Sequence, residues 1–204
     1  MKKFLLSLMI MTVLIGFIPT GVYAATTDVK SKTYEIQKVK NYVYTTGNKG
    51  VYRIKLKNGK PVSKKLIAKC GSKYSIDHLL VKGKYVYFKK VANKSNKVYL
   101  YRVKKSGGTA KKLASMGAFA EVAYKGNKIY YTYPGETDDN GMVLYNYKKV
   151  MNLDGTGKQD TEIMASEYGK YYSKKGYKYT YKVTKKHVKI YLKTPKGKLY
   201  LETI

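Results

Sequence analysis

The chain has 204 residues, in which 42 lysine and arginine residues face 12 acidic ones, giving a formal net charge of +30 at pH 7. A field of this sign attracts polyanions and opposes self-association, although it says nothing about the fold. Only Arg53 and Arg102 are arginines, and lysine lacks the planar fork that reads phosphate or guanine bidentately, so the composition argues against a dedicated nucleic-acid reader and favours diffuse electrostatic attachment.

The first 24 residues predict an export signal. Lys2 and Lys3 precede an apolar run, residues 4–18, and Val22-Tyr23-Ala24 provides a small-residue cleavage site. The run has 15 residues, fewer than the roughly 20 that a spanning helix needs, so cleavage is favoured over retention as an anchor. We therefore expect a signal peptide (1–24), a short linker (25–32) and a single domain (33–204) that is secreted, without a transmembrane segment after cleavage.

A short aromatic motif recurs four times at nearly constant spacing. Its apolar pair begins at Tyr42, Tyr85, Ile129 and Tyr171, in steps of 43, 44 and 42. Repeats of about 40–45 residues are typical of propeller blades with four strands. Since a blade cannot bury both faces alone, the repeat predicts an all-β, propeller-like array of about four four-stranded antiparallel blades. Either a closed ring or an open arc completed by dimerisation satisfies this pattern.

Four units follow one another along the chain, at about 33–70, 74–115, 118–164 and 165–204. The second unit shows the layout best, because tyrosine and β-branched residues alternate with lysine in runs near 75–81, 85–91, 97–104 and 110–115. The fourth unit leaves an additional run, Lys198–Thr203, unassigned. This run either closes the ring beside the first blade or becomes the last strand of the fourth.

Two segments carry a family resemblance. Tyr42-Val43-Tyr44 is followed by Val51-Tyr52-Arg53-Ile54, and Tyr85-Val86-Tyr87 by Leu100-Tyr101-Arg102-Val103 and Gly108. This pattern resembles the tyrosine-rich propeller repeats of exported Gram-positive proteins, a domain of unknown function similar to the low-density-lipoprotein-receptor-related-protein propeller. The resemblance covers most of residues 33–194. It implies a secreted or envelope-associated interaction module and supplies no catalytic residues.

Arg53 and Arg102 are the candidate ligand-binding residues. Each follows a tyrosine and precedes a β-branched residue, and Asn146 takes this place in the third unit. Equivalent positions of a propeller lie on a ring, so the two arginines are predicted to face one anionic ligand, with ordinary strand-surface charge as the alternative. The recurring tyrosines are instead predicted to pack between blades, because residues two apart on a strand share a face.

The remaining polar residues predict no cofactor, no metal and no catalysis. The acidic loop 136–141 lacks the alternating ligands of a calcium loop. Asp77 and His78 are neighbours on a predicted strand, where adjacent side chains point to opposite faces, so we expect neither to orient the other. His187 has no nearby carboxylate or cysteine. Cys70, the single cysteine, excludes an intramolecular disulfide and is predicted to be a small apolar filler and not a reactive thiol.

Three functions are consistent with the sequence. The favoured one is an exported binding module without enzymatic activity, held electrostatically at the anionic Gram-positive cell envelope. The alternative is a propeller that binds an extracellular protein or a second copy of itself. An enzyme acting on an acidic polysaccharide is less favoured, because no sequence feature selects its residues. Nucleic-acid binding through charge alone would be nonspecific.

Overall fold

The computed structural model describes residues 29–31, 34–167 and 172–204, and these ranges contain strands and no helix. The predicted signal peptide and Tyr171 lie outside the described residues. The strands are β1 (Val29–Ser31), β2 (Tyr34–Val39), β3 (Tyr42–Gly47), β4 (Gly50–Lys57), β5 (Lys60–Lys69), β6 (Tyr74–Lys82), β7 (Tyr85–Ala92), β8 (Lys97–Lys104), β9 (Lys111–Ala118), β10 (Glu121–Lys125), β11 (Lys128–Pro134), β12 (Asn146–Asn152), β13 (Gln159–Asp160), β14 (Ala165–Glu167), β15 (Tyr172–Ser173), β16 (Lys178–Val183), β17 (Val188–Thr194) and β18 (Gly197–Thr203).

Three four-stranded antiparallel meanders form blade 1 (β2–β5), blade 2 (β6–β9) and blade 3 (β10–β13). The hairpin between the first two strands has two residues in each blade, and its tight turn requires a positive φ. Gly83 and Gly126 supply it in blades 2 and 3, with φ of 56° and 57°, and Lys40 takes φ 52° in blade 1. The first hairpin turn therefore has a similar φ at its first residue in all three blades.

Blades 1 and 2 belong to one curled sheet, because β2 and β6 pair through Tyr34 and Leu79. The sheet runs β5-β4-β3-β2-β6-β7-β8-β9. The prediction of an all-β, propeller-like antiparallel architecture is thus confirmed.

In its described residues, 165–167 and 172–204, the fourth unit is divided and does not form a fourth copy of the meander. Its β14 pairs in parallel with β1, which falls in the segment predicted as a linker, and the backbone N–H of Ala165 donates to Thr132 Oγ1 in blade 3 (2.8 Å). β15 pairs in parallel with β2. β16, β17 and β18 form a separate antiparallel sheet, the C-terminal sheet, in which the unassigned C-terminal run is the last strand. Packing contacts order the described parts as the C-terminal sheet, blade 1, blade 2 and blade 3, and we call this array the arc.

Apolar side chains fill the space between successive sheets, as expected for stacked blades that cannot bury both faces alone. Tyr42 and Tyr44 pack between blades 1 and 2, and Tyr85 and Tyr87 pack between blades 2 and 3, which confirms the predicted packing role of these tyrosines. A third cluster joins blade 1 to the C-terminal sheet; its buried members are Ile36, Val43, Ile54, Leu56, Tyr177, Leu192 and Leu201.

The repeat register differs by one residue from the sequence prediction in blade 3. Tyr42 and Tyr85 are the first residues after the tight hairpin, where each pairs with the last residue before it. The residue in this place in blade 3 is Lys128 and not Ile129. Positions 42, 85 and 128 are separated by two equal steps of 43. The lysine conceals the equivalence, because this position is partly exposed in blades 1 and 2 and exposed in blade 3, so that it tolerates either a tyrosine or a lysine.

Within the described ranges, no helix is present that is long and apolar enough to cross a membrane.

Candidate functional site

The antiparallel meanders place alternate turns at opposite ends of each blade. One end carries the turn between the first two strands and the turn between the last two strands. Backbone hydrogen bonds join these two turns in each of the three blades. The N–H groups of Leu56, Lys105 and Leu153 donate to the carbonyls of Asn41, Lys84 and Asn127, over 2.8, 2.9 and 3.1 Å. The turn between β17 and β18 lies at the same end, because Thr194 Oγ1 donates to the carbonyl of Gly59 (3.2 Å).

Every turn at this end carries an exposed lysine in or beside it. We call this surface the lysine rim, which consists of Lys40, Lys57, Lys60, Lys84, Lys104, Lys125, Lys128, Lys158 and Lys196. Asp154 is the one acidic residue that the structure places within these turns. Its carboxylate accepts from the backbone N–H and from the hydroxyl of Thr156, at 2.9 and 2.6 Å, and these bonds lower its pKa. The rim is therefore strongly cationic.

A groove of about 520 Å³ crosses the lysine rim between blades 2 and 3. Its lining includes Lys82, Lys84, Arg102, Tyr85 and Asn127, and it also includes the carboxylate of Asp154. The three cationic groups outnumber this one carboxylate, and together with the amide they form a set of donors that suits an anionic oxygen ligand. Arg102, one of the two residues predicted from the sequence to bind a ligand, thus lies in the groove.

Both arginines contact the next blade. The Nη1 of Arg102 donates to the carbonyl of Leu153 in blade 3 (3.3 Å), and its Cζ lies 4.4 Å from the centre of the Tyr85 ring. The Nη1 of Arg53 donates to the carbonyl of Lys105 in blade 2 (3.0 Å). Each guanidinium therefore connects its own blade to a turn of the following one. The predicted ligand role of Arg53 and Arg102 stays a prediction beside this structural role.

Asn146 is predicted to occupy the position of blade 3 that corresponds to Arg53 and Arg102, but another residue does so. Arg53 pairs with Tyr44 and Arg102 pairs with Tyr87, and the residue with the corresponding register in blade 3 is Val150, which pairs with Tyr130. The sequence comparison placed the third residue wrongly because blade 3 has a longer connection, residues 135–145, between its second and third strands. Only blades 1 and 2 carry the arginine contact.

Burial raises the pKa of the Tyr87 hydroxyl, and the neighbouring Arg102 opposes this shift. The side chain is almost fully buried between blades 2 and 3. Tyr87 is therefore a neutral phenol at physiological pH, and the positive charge of Arg102 is not cancelled by it.

The expectation that Asp77 and His78 do not orient one another is wrong. The Nδ1 of His78 lies 2.7 Å from Asp77 Oδ2, and the backbone N–H of His78 donates to Asp77 Oδ1 (2.9 Å). A β-bulge in β6 accounts for this contact, since the register shifts between Asp77 and Leu79 and His78 has φ of 51°. The bulge breaks the alternation of faces, so the carboxylate can orient the imidazole. No local sequence signal distinguished this bulge from a regular strand.

Cys70 is buried, and its Sγ donates to the carbonyl of Tyr74 (3.1 Å). Burial raises the pKa of the thiol, and Lys90 opposes the shift. These surroundings agree with the predicted filler role. Residues 29–31, 34–167 and 172–204 contain no group of three or more histidine, cysteine or acidic side chains arranged to hold a metal ion.

No protein-family model matches the sequence, and no curated protein matches it. Several solved structures align with the fold, and three of them show the following similarity to this chain. An oligogalacturonate lyase in complex with manganese aligns at 11% identity and a TM-score of 0.46, over 80% of this chain and 50% of that one. The oligogalacturonate lyase of Vibrio parahaemolyticus aligns at 9% identity and a TM-score of 0.44, over 81% and 50%. A nidogen/laminin complex aligns at 14% identity and a TM-score of 0.39, over 79% and 61%.

The expectation that this protein is not an enzyme is contradicted by the two lyase structures and is not retained. The chain spans about half the length of these lyases. At this identity and TM-score the likeness concerns the path of the chain and assigns no activity or substrate. The repeated blades make the chain propeller-like, and no family model assigns it to a particular propeller domain.

Proposed function

We propose that this protein binds a linear polyanion through the lysine rim, and that its target is a phosphate-rich polymer of the Gram-positive cell envelope. The observation that carries the proposal is the presence of exposed lysine at every turn of one rim, with a single carboxylate within those turns. A polyanion that lies along such a row releases its condensed counterions, which drives association without a specific pocket for each phosphate.

The charge balance supports binding to a polymer over binding to a single small anion. Twelve carboxylates in the whole chain cannot neutralise 42 basic side chains, so the excess charge is available to an external anion. The lysines of the rim occur on successive blades and lie on one side of the arc. Such a row matches the repeating charge of a polymer better than the compact charge of one phosphate.

The envelope as the location of the target rests on the export signal predicted from residues 1–24. A cationic protein released through the membrane of its own cell first meets the anionic polymers of the wall. Retention there by diffuse charge requires no further anchor.

The test compares two variants that lose the same charge from different places. The rim variant replaces Lys57, Lys60, Lys84, Lys104, Lys125 and Lys158 by glutamine. The control variant replaces six exposed lysines of the opposite end, Lys49, Lys69, Lys73, Lys94, Lys97 and Lys186, by glutamine. Association with labelled poly(glycerol phosphate) is measured by fluorescence anisotropy between about 50 and 200 mM salt, a range over which polyanion binding falls steeply.

We expect the slope of log K against log salt to fall by about four to five in the rim variant, or about 0.7–0.9 for each lost phosphate contact. The control variant should change the slope by much less. An equal change in the two variants would mean that binding follows net charge and not the rim. Salt-independent association of the unmodified protein would exclude counterion release altogether.

A second candidate function is self-association through the long connection of blade 3. Met142, Val143 and Leu144 are exposed apolar residues in succession, with Met142 69% exposed. Tyr145 and Tyr147 extend this surface, and their hydroxyls lie 3.0 Å apart. Exposed apolar residues in series are typical of a contact surface.

Sedimentation equilibrium of the protein and of a Met142→Ser/Leu144→Ser variant tests this second function. A dimer that becomes a monomer in the variant supports it, and a monomer at all concentrations excludes it. High salt should strengthen such a dimer, because it screens the repulsion between two highly cationic copies.

A further inference from the structure

A second cavity lies at the end of the arc opposite the lysine rim. It has a volume of about 420 Å³ and lies between the turn of β3 and β4, the connection of β5 and β6, and the C-terminal sheet. This volume falls within the range of about 300–1,000 Å³ that small-molecule sites occupy. The cavity combines segments from both ends of the described chain, so only the folded protein contains it.

The lining of this cavity has a different chemistry from the rest of the surface. It is made of tyrosine rings, amides, hydroxyls, one carboxylate and a few aliphatic groups; the residues that carry the argument are Ser72, Tyr74, Asn93, Tyr179, Tyr181 and Glu202. Neither lysine nor arginine is among the described residues that line it. In a chain with a net charge of +30, this absence distinguishes the cavity from the cationic groove of the lysine rim.

The carboxylate of Glu202 is part of the cavity wall and is fixed by the fold. The side chain is buried, and its Oε1 accepts from the backbone N–H of Asn48 (2.7 Å), while Oε2 accepts from the hydroxyl of Tyr52 (3.0 Å). A buried negative charge disfavours an anionic ligand in the same cavity. The positive field of the whole chain disfavours a cationic one. Neither of these two electrostatic penalties applies to a neutral polar ligand.

The polar and aromatic groups are held in place before any ligand arrives. The hydroxyl of Tyr179 donates to the carbonyl of Thr46 (2.9 Å), and the Nδ2 of Asn93 donates to the carbonyl of Ser72 (3.2 Å). Tyr181 is 60% exposed at the edge strand β16 and presents its ring to solvent. An exposed ring next to fixed hydroxyl and amide groups offers an apolar face and hydrogen-bonding partners together.

We propose that this cavity binds a neutral saccharide, with the Tyr181 ring as the stacking surface and the Asn93 amide and Ser72 hydroxyl as hydrogen-bonding groups. A sugar ring has an apolar face and a polar rim, and it carries no charge that the surrounding groups would oppose. The site is separate from the lysine rim and does not rest on polyanion binding. The two activities also differ in their dependence on salt, since a neutral ligand releases no counterions.

Calorimetric titration of the full-length protein with trisaccharides of different charge tests the proposal. The neutral probes are the trimers of N-acetylglucosamine, glucose and galactose. The trimer of glucosamine is the cationic probe, and the trimer of galacturonate is the anionic one. Each titration is performed at low salt and at about 0.5 M salt, where charge interactions are screened over a few ångströms.

Three variants locate the binding. Tyr181→Ala and Asn93→Ala change the cavity, and Tyr200→Ala removes a tyrosine that is 40% exposed on the same sheet and does not line the cavity. The thermal midpoint of each variant shows that it is folded. We expect at least one neutral trimer to bind equally well at both salt concentrations, and its affinity to fall about tenfold or more in Tyr181→Ala and in Asn93→Ala, with no change in Tyr200→Ala.

Other results would overturn the inference. Binding of the cationic trimer alone would show that the Glu202 charge selects the ligand. Salt-sensitive binding of the anionic trimer alone would assign saccharide binding to the lysine rim. No saturable binding of any neutral trimer would show that the cavity is not a saccharide site, and loss of affinity in Tyr200→Ala to the same extent would place the site elsewhere on the sheet.

Discussion

The hydroxyl of Tyr52 donates to Oε2 of Glu202 over 3.0 Å and joins blade 1 to the final strand of the chain, 150 positions away. The same carboxylate accepts from the backbone N–H groups of Asn48 (2.7 Å) and Lys49 (3.2 Å). One buried side chain thus satisfies three donors of blade 1. Since charge-assisted bonds of this kind are stronger than neutral ones, Glu202 is the principal polar link between the C-terminal sheet and the arc.

Glu202→Ala should lower the free energy of unfolding by about 2–3 kcal/mol, because it removes three hydrogen bonds to a charged group and leaves their donors without partners. Urea denaturation followed by circular dichroism measures the change. Glu162→Ala is the matched control: its carboxylate is 89% exposed, and we expect a change within about 0.5 kcal/mol. Equal effects of the two substitutions would contradict the role assigned to Glu202.

Arg102→Gln should destabilise the interface between blades 2 and 3 by about 1–3 kcal/mol, because the guanidinium loses its bond to the Leu153 carbonyl and its contact with the Tyr85 ring. Lys104→Gln removes one exposed positive charge from the same strand and should cost less than about 0.5 kcal/mol. Both are measured by urea denaturation.

The same pair of variants tests the ligand role predicted for Arg102. If this arginine binds the polyanion directly, Arg102→Gln should weaken association with poly(glycerol phosphate) more than Lys104→Gln does. Binding by Arg102→Gln that equals that of the unmodified protein, together with a selective loss of stability in this variant, would restrict Arg102 to its structural role.

The alkaline limit of stability should depend on Tyr179. Burial raises the pKa of its hydroxyl from 10.0 to about 12, and this hydroxyl contacts Thr45 Oγ1. The folded protein favours the neutral phenol, so its contribution to stability is complete below pH 10 and is lost as the pH rises from about 10 to 12. The stability of Tyr179→Phe should therefore fall less steeply over this window.

Chemical denaturation at a series of pH values from 9 to 12 measures this difference as a function of pH. Tyr200→Phe is the control, since it removes an exposed hydroxyl from the same sheet. If the free energy of unfolding falls with pH equally steeply in the unmodified protein and in Tyr179→Phe, this phenol does not set the alkaline limit of stability.

Gly50→Ala should prevent or severely impair folding. Gly50 has φ of 147°, and a Cβ at this position would lie 1.8 Å from the carbonyl oxygen of Ala68, so the pairing of β4 with β5 would have to open. Gly83 also has a positive φ, of 56°, but a Cβ there meets no atom within 4 Å. Gly83→Ala should cost about 1–2 kcal/mol for the left-handed backbone alone. Soluble yield and thermal midpoint compare the two, and similar values would contradict the steric argument.

The Cys70 thiol should react with a disulfide reagent only after unfolding. The side chain is 2% exposed, and burial raises its pKa, so little thiolate is available in the folded state. The rate of reaction with Ellman's reagent in increasing urea should follow the unfolding transition. Rapid and complete reaction in the absence of urea would show that the thiol is accessible in the native protein.

The sequence by itself determined the all-β class and the period of the blades. Both follow from local patterns, since alternation of tyrosine and β-branched residues with lysine specifies strands, and short glycine turns specify hairpins. The packing of Tyr44 and Tyr87 between blades also follows from the spacing of two residues on a strand. The charge that supports polyanion binding is a property of composition alone.

Only the tertiary structure decided which residues meet. The equivalence of Lys128 with Tyr85, the contacts of the two arginines with turns of the next blade, and the bond from Tyr52 to Glu202 all depend on strand register and on sheets brought together from distant positions. The bulge that brings the Asp77 carboxylate to the His78 imidazole breaks the alternation of side chains between the two faces of the strand, on which the sequence prediction relied. The cavity beside Tyr181 has the same origin, because its walls come from segments more than 100 residues apart, and a periodic pattern carries no information about such contacts.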